Sequence, residues 1–254
     1  MPRSSHGGRH ELGQNFLTHR PTIDHIASLV ADTAGPILEI GAGDGALTRR
    51  LATLARPVTA IEIDEHRARR LQRTLPTVDV VHADALRYPL DAPVIVGNIP
   101  FHLTAPILRR LLSMRTWEHA LLLTQWEVAR KRAGVGGRTM MTAQAAPWFT
   151  FALHGRAPSW AFAPMPSVDG GILGIIRRGS PLVADDQRHA HERFVQSVFR
   201  GRGGTLARVL HNATHVSPSH ARRILRVAGI GDARLPRDLD ADQWAALWSA
   251  CGPE

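Results

Sequence analysis

Asn98-Ile99-Pro100-Phe101 is the segment whose residue types best fit a reaction. A side-chain amide oxygen and a backbone carbonyl placed side by side can both accept from one NH2 group. Proline fixes the backbone and has no donor of its own. The ring that follows can stack on a flat base. An exocyclic amine on a purine is a poor nucleophile, because its lone pair is delocalised into the ring. Two acceptors draw such an amine towards tetrahedral geometry and free the lone pair for in-line attack on an electrophilic methyl. Positioning and electrostatics carry that chemistry, and no strong general base is needed. The plainer alternative is a proline-stopped strand with a packed Phe101. A second aromatic candidate, Phe162, opens Phe162-Ala163-Pro164-Met165-Pro166-Ser167-Val168-Asp169, which two prolines hold extended. It can close on the other face of a base or serve as a core anchor.

Three further positions describe a nucleoside crevice. Glu39-Ile40-Gly41-Ala42-Gly43-Asp44-Gly45 follows a strand pattern and opens a helix. Its Gly-x-Gly-x-Gly spacing differs from the dinucleotide fingerprint and suits a ligand without phosphates. Glu62 ends the next strand, where a carboxylate can accept both ribose hydroxyls. Asp84 follows the third strand and can accept from an adenine amino group. Read singly, Glu62 and Asp84 could be turn residues or helix caps. Together they mark the carboxyl edge of an open sheet.

The elements that must position these residues alternate along the chain. Apolar runs at 36–40, 58–63, 78–81, 94–97, 120–123, 151–153 and 171–176 read as strands. Amphipathic segments at 46–54, 65–75 and 105–112 read as helices. That alternation predicts an α/β fold with a mostly parallel sheet and right-handed crossovers. From about residue 182 only helical spacing remains, in Phe194/Val195/Val198/Phe199, Leu206/Val209/Leu210, Ala221/Ile224/Leu225/Ala228 and Trp244/Leu247/Trp248. The expected domains are a basic disordered tail at 1–11, a catalytic domain at 12–180 and a small all-helical domain at 181–254.

Composition narrows the partners. The 254 residues carry 31 basic and 22 acidic side chains, a net charge of +9, with Lys131 the single lysine. Such an excess without an apolar span of roughly 20 residues points to a polyanion rather than a membrane. One cysteine, Cys251, leaves no internal disulfide or cysteine metal cluster, and no metal is expected. The N-terminus has no apolar core of a signal peptide, so a cytoplasmic protein is expected. Candidate phosphate contacts are Arg109, Arg110, Arg130, Lys131, Arg132, Arg138, Arg200, Arg202 and Arg208. Several flank the glycine loops Gly134–Gly137 and Gly201–Gly204, which read as segments that order on RNA binding.

These motifs, in this order, resemble the ribosomal RNA adenine N6-methyltransferases from about Leu12 to Trp248. The matching segments are Leu12-Gly13-Gln14-Asn15-Phe16-Leu17, Glu39 to Leu47, Ala60 to Asp64, Asp84, Asn98 to Phe101 and Phe162 to Asp169. The resemblance implies a Rossmann-like sheet with helices on both faces and S-adenosylmethionine as cofactor. It implies cofactor contacts from Gln14, Asn15, Leu17, Gly41, Gly43, Glu62, Ile63, Asp84, Ala85 and Asn98. Asn98, Ile99, Pro100 and Phe101, helped by Phe162, would hold the target adenine. Gly97, Ile99 in place of leucine, Phe101 in place of tyrosine and the compact C-terminal region resemble the Erm branch rather than the small-subunit (16S) dimethyltransferases. That branch implies methylation of 23S rRNA, naked or pre-ribosomal, by a monomer, and macrolide–lincosamide–streptogramin B resistance. A non-catalytic RNA-binding factor on the same scaffold is the reading from a different class.

Overall fold

A computed structural model describes residues 15–231 and 233–252. The expected tail at 1–11, with Arg3 and Arg9, and the site candidate Gln14 lie outside the described residues. In chain order the elements are β1 (Phe16–Leu17), α1 (Arg20–Ala31), β2 (Ile37–Ile40), α2 (Ala46–Ala52), β3 (Val58–Glu62), α3 (Glu65–Thr74), β4 (Asp79–His82) and β5 (Val94–Asn98). They continue with α4 (Thr104–Ser113), β6 (His119–Gln125), α5 (Trp126–Arg132), α6 (Met140–Ala145), β7 (Phe149–Ala157), β8 (Phe162–Ala163) and β9 (Gly170–Arg177). Four helices close the chain: α7 (Arg188–Arg200), α8 (Leu206–Thr214), α9 (Pro218–Val227) and α10 (Ala241–Cys251). All seven strands read from the sequence are present, within a few residues at their ends. The sequence reading did not include α1, α5, α6, or the short β1 and β8.

Seven strands form one sheet in the order β4-β3-β2-β5-β6-β9-β7. The pairs β2–β3, β2–β5, β3–β4 and β5–β6 are parallel. All four residues of β2 are buried, as are the first four of β5. Strands covered on both faces read as continuous apolar runs, which is why they were legible. The chain winds outward from β2 in two directions, so β2 and β5 flank a topological switch point. Loops leaving their carboxyl ends diverge there and leave a crevice. β1 and β8 form a separate antiparallel ribbon, with Phe16 opposite Ala163 and Leu17 opposite Phe162.

Backbone contacts divide the chain into two units, 1–129 with 152–175 and 130–151 with 176–254. The first contains a core of Ile26, Val30, Ile37, Leu51, Val94, Val96, Leu123 and Ile172. In the second, Val195, Val198, Leu206, Leu210, Ile224, Trp244 and Leu247 pack together. The expected boundary near 180 misses segment 130–151. Ala143 of α6 is fully buried in the helical cluster, and Gln144 Nε2 donates to the Glu192 carbonyl at 2.9 Å. No helix among the described residues is long and apolar enough to cross a membrane.

In the loop Gly201–Gly204, two of the glycines lie close against α8. A Cβ on Gly201 would stand 2.9 Å from the Val209 carbonyl oxygen, and one on Gly203 2.9 Å from the Val209 nitrogen. Asn212 Nδ2 donates to the Arg202 carbonyl at 2.5 Å. Glycine is needed here because the backbone lies flat against α8.

Candidate active site

One crevice gathers residues from four consecutive strand ends. It is lined by Asn15 and Phe16, by Ile40, Gly41 and Gly43 after β2, by Ile61, Glu62 and Ile63 at β3, by Ala83, Asp84 and Ala85 after β4, and by Asn98 to Phe101 after β5. Leu103 and Ile107 close it from the start of α4. The sequence candidates Asn15, Gly41, Gly43, Glu62, Ile63, Asp84, Ala85, Asn98, Ile99, Pro100 and Phe101 therefore converge on one space.

The glycine loop is built around Glu62. This side chain is 1% exposed, with Oε2 accepting from Gly43 N at 2.7 Å and Oε1 from Asp64 N at 2.9 Å. Each oxygen keeps a second lone pair for a ligand hydroxyl. Gly43 has φ +57, and a Cβ there would meet the Phe16 ring at 2.9 Å. Its backbone is thus freed for the Glu62 contact and closed over by Phe16. Arg67 lies over that ring, 4.2 Å from its centroid, and pairs with Asp44 of the loop.

Asp84 does two jobs. Its Oδ1 accepts from Leu86 N at 2.8 Å, so it caps its own turn as well as facing the crevice. Arg110 secures the same turn: Nη1 donates to the Ala85 carbonyl at 2.5 Å and Nη2 to the Arg87 carbonyl at 3.4 Å. Arg110 was expected on the RNA surface. The structure instead spends its guanidinium on the wall of the crevice.

Asn98 ends β5, half-buried. Its Nδ2 donates to the Asn15 carbonyl at 2.7 Å. A carbonyl can only accept, so the nitrogen end of the amide is assigned and the oxygen end remains an acceptor. Gly97 lets β5 approach β2 closely, since a Cβ there would meet the Ile40 carbonyl oxygen at 2.5 Å. Ile99 is buried and donates its N–H to the Leu123 carbonyl at 2.9 Å. Pro100 turns the chain at φ −52 and ψ 133 into a short 3-10 helix beginning at Phe101.

Two candidates fall elsewhere. Phe162 is 3% exposed and packs in the core, where a Cβ on Gly170 would meet its Cζ at 2.9 Å. It is the core anchor of its loop and not a wall of the crevice. Leu17 is also a core residue, 5% exposed. Neighbouring strand residues point to opposite sides, so with Leu17 inward it is Phe16 that reaches the crevice. That alternation is the signal by which Phe16 could have been found. Ile40, Ile61, Leu103 and Ile107 were missed because apolar lining residues look like core.

Of the basic candidates, Arg109, Lys131, Arg200, Arg202 and Arg208 are exposed. Arg132 Nη1 donates to Thr139 Oγ1 at 2.5 Å, and Arg130 is partly buried beside the loop of Gly136. Arg138 has its backbone N–H on the Arg237 carbonyl at 2.8 Å.

The charge of the crevice selects its ligand. Among the described residues, the side chains that line it include two carboxyl groups, Glu62 and Asp84, and no lysine, arginine or histidine. Such a lining suits a cationic nucleoside without phosphates. Glu39 sits behind the loop, 1% exposed. Burial pushes its carboxyl up to about 8, with the Glu62 charge adding to the shift and Thr48 opposing it. It is therefore neutral at pH 7.

A sheet of this order, with a phosphate-free nucleoside site at its switch point and an Asn-Ile-Pro-Phe corner beside it, is that of a methyltransferase for a planar amine. The chain matches the ribosomal RNA adenine dimethylase family over residues 5–248. It is 50% identical to the mycinamicin-resistance protein MyrB of Micromonospora griseorubida over 95% of this chain and 78% of that protein. It is 53% identical to an rRNA adenine N-6-methyltransferase of Corynebacterium diphtheriae over 80% of this chain and 82% of that protein. The crystal structure of the 23S rRNA methyltransferase ErmE superposes with a TM-score of 0.82 at 34% identity, covering 93% of this chain and 99% of that one. The chain belongs to the Erm-type rRNA adenine N6-methyltransferases, a family of S-adenosylmethionine-dependent enzymes.

Proposed function

We propose that the chain methylates N6 of an adenine in 23S rRNA and so confers macrolide–lincosamide–streptogramin B resistance. One observation carries this reading: the Asn98 amide nitrogen is tied to Asn15, which leaves its oxygen as an acceptor in a crevice also lined, among the described residues, by the carboxyl groups of Glu62 and Asp84. S-adenosylmethionine, held by Gly41, Glu62, Asp84 and the walls at Ile63 and Phe16, supplies an electrophilic sulfonium methyl when bound.

The chain's own residues act on the amine. Asn98 Oδ1 accepts one amine hydrogen. A backbone carbonyl of the Asn98–Phe101 corner accepts the other. Phe101 stacks on the base and sets its plane. With both hydrogens held, the nitrogen lone pair turns out of conjugation towards the methyl. As the new N–C bond forms the amine becomes acidic, and its proton leaves to water along the same acceptors. Exposed Arg109, Lys131, Arg200, Arg202 and Arg208 are candidates for holding RNA phosphates. A methylated adenine loses an amine donor and gains bulk, which blocks drug contacts at that nucleotide.

The test is methyl transfer from tritiated cofactor to 23S and 16S transcripts, with primer extension to locate the base and macrolide susceptibility of expressing cells. Label confined to 23S, with resistance, is the expected result. Label confined to 16S overturns the Erm reading. Binding to RNA without transfer would make the chain a non-catalytic RNA-binding factor.

A further inference from the structure

With Phe162 buried, the loop it was read from still exposes a ring two residues earlier. Trp160 is 63% exposed, whereas Trp117, Trp148, Trp244 and Trp248 are buried and Trp126 is partly buried. A lone exposed indole on a loose loop would mean little. This one stands on a fixed backbone. The carbonyl of Ala161 accepts from Thr18 N at 2.8 Å, His19 N at 3.2 Å and Thr18 Oγ1 at 3.0 Å. On the other side Ser159 N donates to Asp169 Oδ1 at 2.7 Å. Arg156 Nε holds the second oxygen of Asp169 at 2.5 Å, and Trp126 N donates to the Asp169 carbonyl at 2.8 Å. The His19 ring meets the indole edge-on, with centroids 4.7 Å apart at 78°. A large flat ring that is already ordered loses little freedom when a partner stacks on it.

Its position relative to the reaction follows from the β1–β8 ribbon. At one end, Asn15 and Phe16 line the crevice and Asn15 receives the Asn98 amide. At the other end, Thr18 and His19 are tied to Ala161 next to Trp160. His19 is four residues on from Asn15, so the backbone between them spans at most about 14 Å. Trp160 therefore stands within a few nucleotides of the base that Asn98 would hold, outside the crevice itself. Two exposed arginines, each paired with an aspartate, lie on this flank. The side chain of Arg20, next to His19, is 90% exposed and makes only a loose 3.8 Å pair with Asp24. The Arg156 side chain is 60% exposed. Aromatic faces beside arginines are the means by which proteins hold unpaired nucleotides without reading their sequence.

We propose that Trp160 is a stacking platform for an unpaired nucleobase flanking the target adenosine, with Arg20 and Arg156 on the adjoining phosphates. This rests on the rRNA reading above. It makes Trp160 a positioning residue for RNA, with no part in holding the cofactor or the reacting amine.

The test uses the full chain, a 23S rRNA transcript and a short single-stranded oligoribonucleotide. Trp160→Ala should raise KM for the transcript about tenfold or more. Its kcat and its KM for S-adenosylmethionine should stay within about twofold of the parent. Trp160→Phe should restore most of the loss. The oligoribonucleotide should quench tryptophan fluorescence in the parent protein and not in Trp160→Phe. Unchanged KM for RNA in Trp160→Ala overturns the proposal, as does equal quenching in Trp160→Phe. Loss of cofactor affinity in Trp160→Ala would show a packing role and overturn it too. In each of these outcomes methylation of 23S rRNA by the parent protein still stands, whereas a parent that labels no 23S RNA defeats the underlying reading.

Discussion

The Asn98 side-chain nitrogen donates to the backbone carbonyl of Asn15 at 2.7 Å, across 83 residues of chain. This bond decides which end of the amide faces the substrate. Asn98→Ala removes the acceptor and should lower kcat by about 10²–10³-fold, with RNA affinity retained. Asn98→Asp is the sharper test. It keeps the acceptor but sets a carboxylate oxygen against the Asn15 carbonyl, so the fixed geometry is lost. Its kcat should fall nearly as far as that of the alanine variant. An aspartate variant with near-parental kcat would show that the Asn15 contact does not orient the amide.

Arg110 offers a test of wall against surface. Its bonds to the Ala85 and Arg87 carbonyls hold the turn that carries Asp84. Bonds from a charged donor are among the stronger ones. Arg110→Ala should raise KM for S-adenosylmethionine roughly threefold to tenfold and leave KM for RNA unchanged. The opposite pattern, measured by steady-state kinetics with each substrate varied, would return Arg110 to the RNA surface.

These two residues also show where sequence reading stops. The strand ends bearing Gly41, Glu62, Asp84 and Asn98 were legible because buried parallel strands are continuous apolar runs, and polar residues at their carboxyl ends stand out. Asn98 was legible in type, but its orientation depends on a carbonyl far away in sequence. Arg110 looked like other helix-surface arginines, since nothing local says that its guanidinium reaches Ala85. Phe162 and Leu17 were misplaced because β1 and β8 are two residues each, and only their mutual register settles which side chains turn inward. The glycines at 201–204 stand out in the sequence, but only the fold shows that two of them let the backbone lie against α8.

Gly97 and Ile40 are paired across β5 and β2, one residue from the glycine loop and one from Asn98. An added Cβ at Gly97 would stand 2.5 Å from the Ile40 carbonyl oxygen and 3.1 Å from the Ile99 side chain. Backbone cannot swing aside as a flexible side chain can. Gly97→Ala should cost about 1–3 kcal/mol of stability. It should also weaken cofactor binding, because the two strand ends flanking the switch point must separate. Calorimetry of the variant with and without cofactor measures both, and a parental melting temperature would contradict the account.

Glu39 predicts an unusual pH dependence. Its carboxyl titrates near 4.5 when unfolded and at about 8 in the fold, because burial penalises the charge. Between those values the unfolded chain has released a proton that the folded chain keeps. Stability from this group is complete below pH 4.5 and is lost as pH rises towards 8. Glu39→Gln, a neutral near-isostere, should remove that slope and stabilise the protein at pH 8 by roughly 3–5 kcal/mol. Urea melts of both proteins at several pH values should converge near pH 4.5. Parallel curves across the range would mean that Glu39 is ionised in the fold.

His191 predicts the opposite slope in the helical unit. Its ring is fully buried, and neither nitrogen has a hydrogen-bond partner among the described residues. It meets Trp148 edge-on at 5.4 Å and Trp248 at 5.8 Å. Burial lowers its pKa from 6.5 to about 4. Between those values the unfolded chain binds a proton that the folded chain refuses, so stability falls as pH drops below 6.5. The loss should reach roughly 2–3 kcal/mol by pH 4. His191→Phe keeps a ring among the tryptophans and cannot titrate. It should therefore hold its melting temperature better than the parent as pH is lowered from 6.5 to 4. Near-ultraviolet circular dichroism follows this directly, because Trp148, Trp244 and Trp248 all belong to the unit being tested. An equal acid slope in parent and variant would place the acid sensitivity elsewhere and leave His191 as a packing residue only.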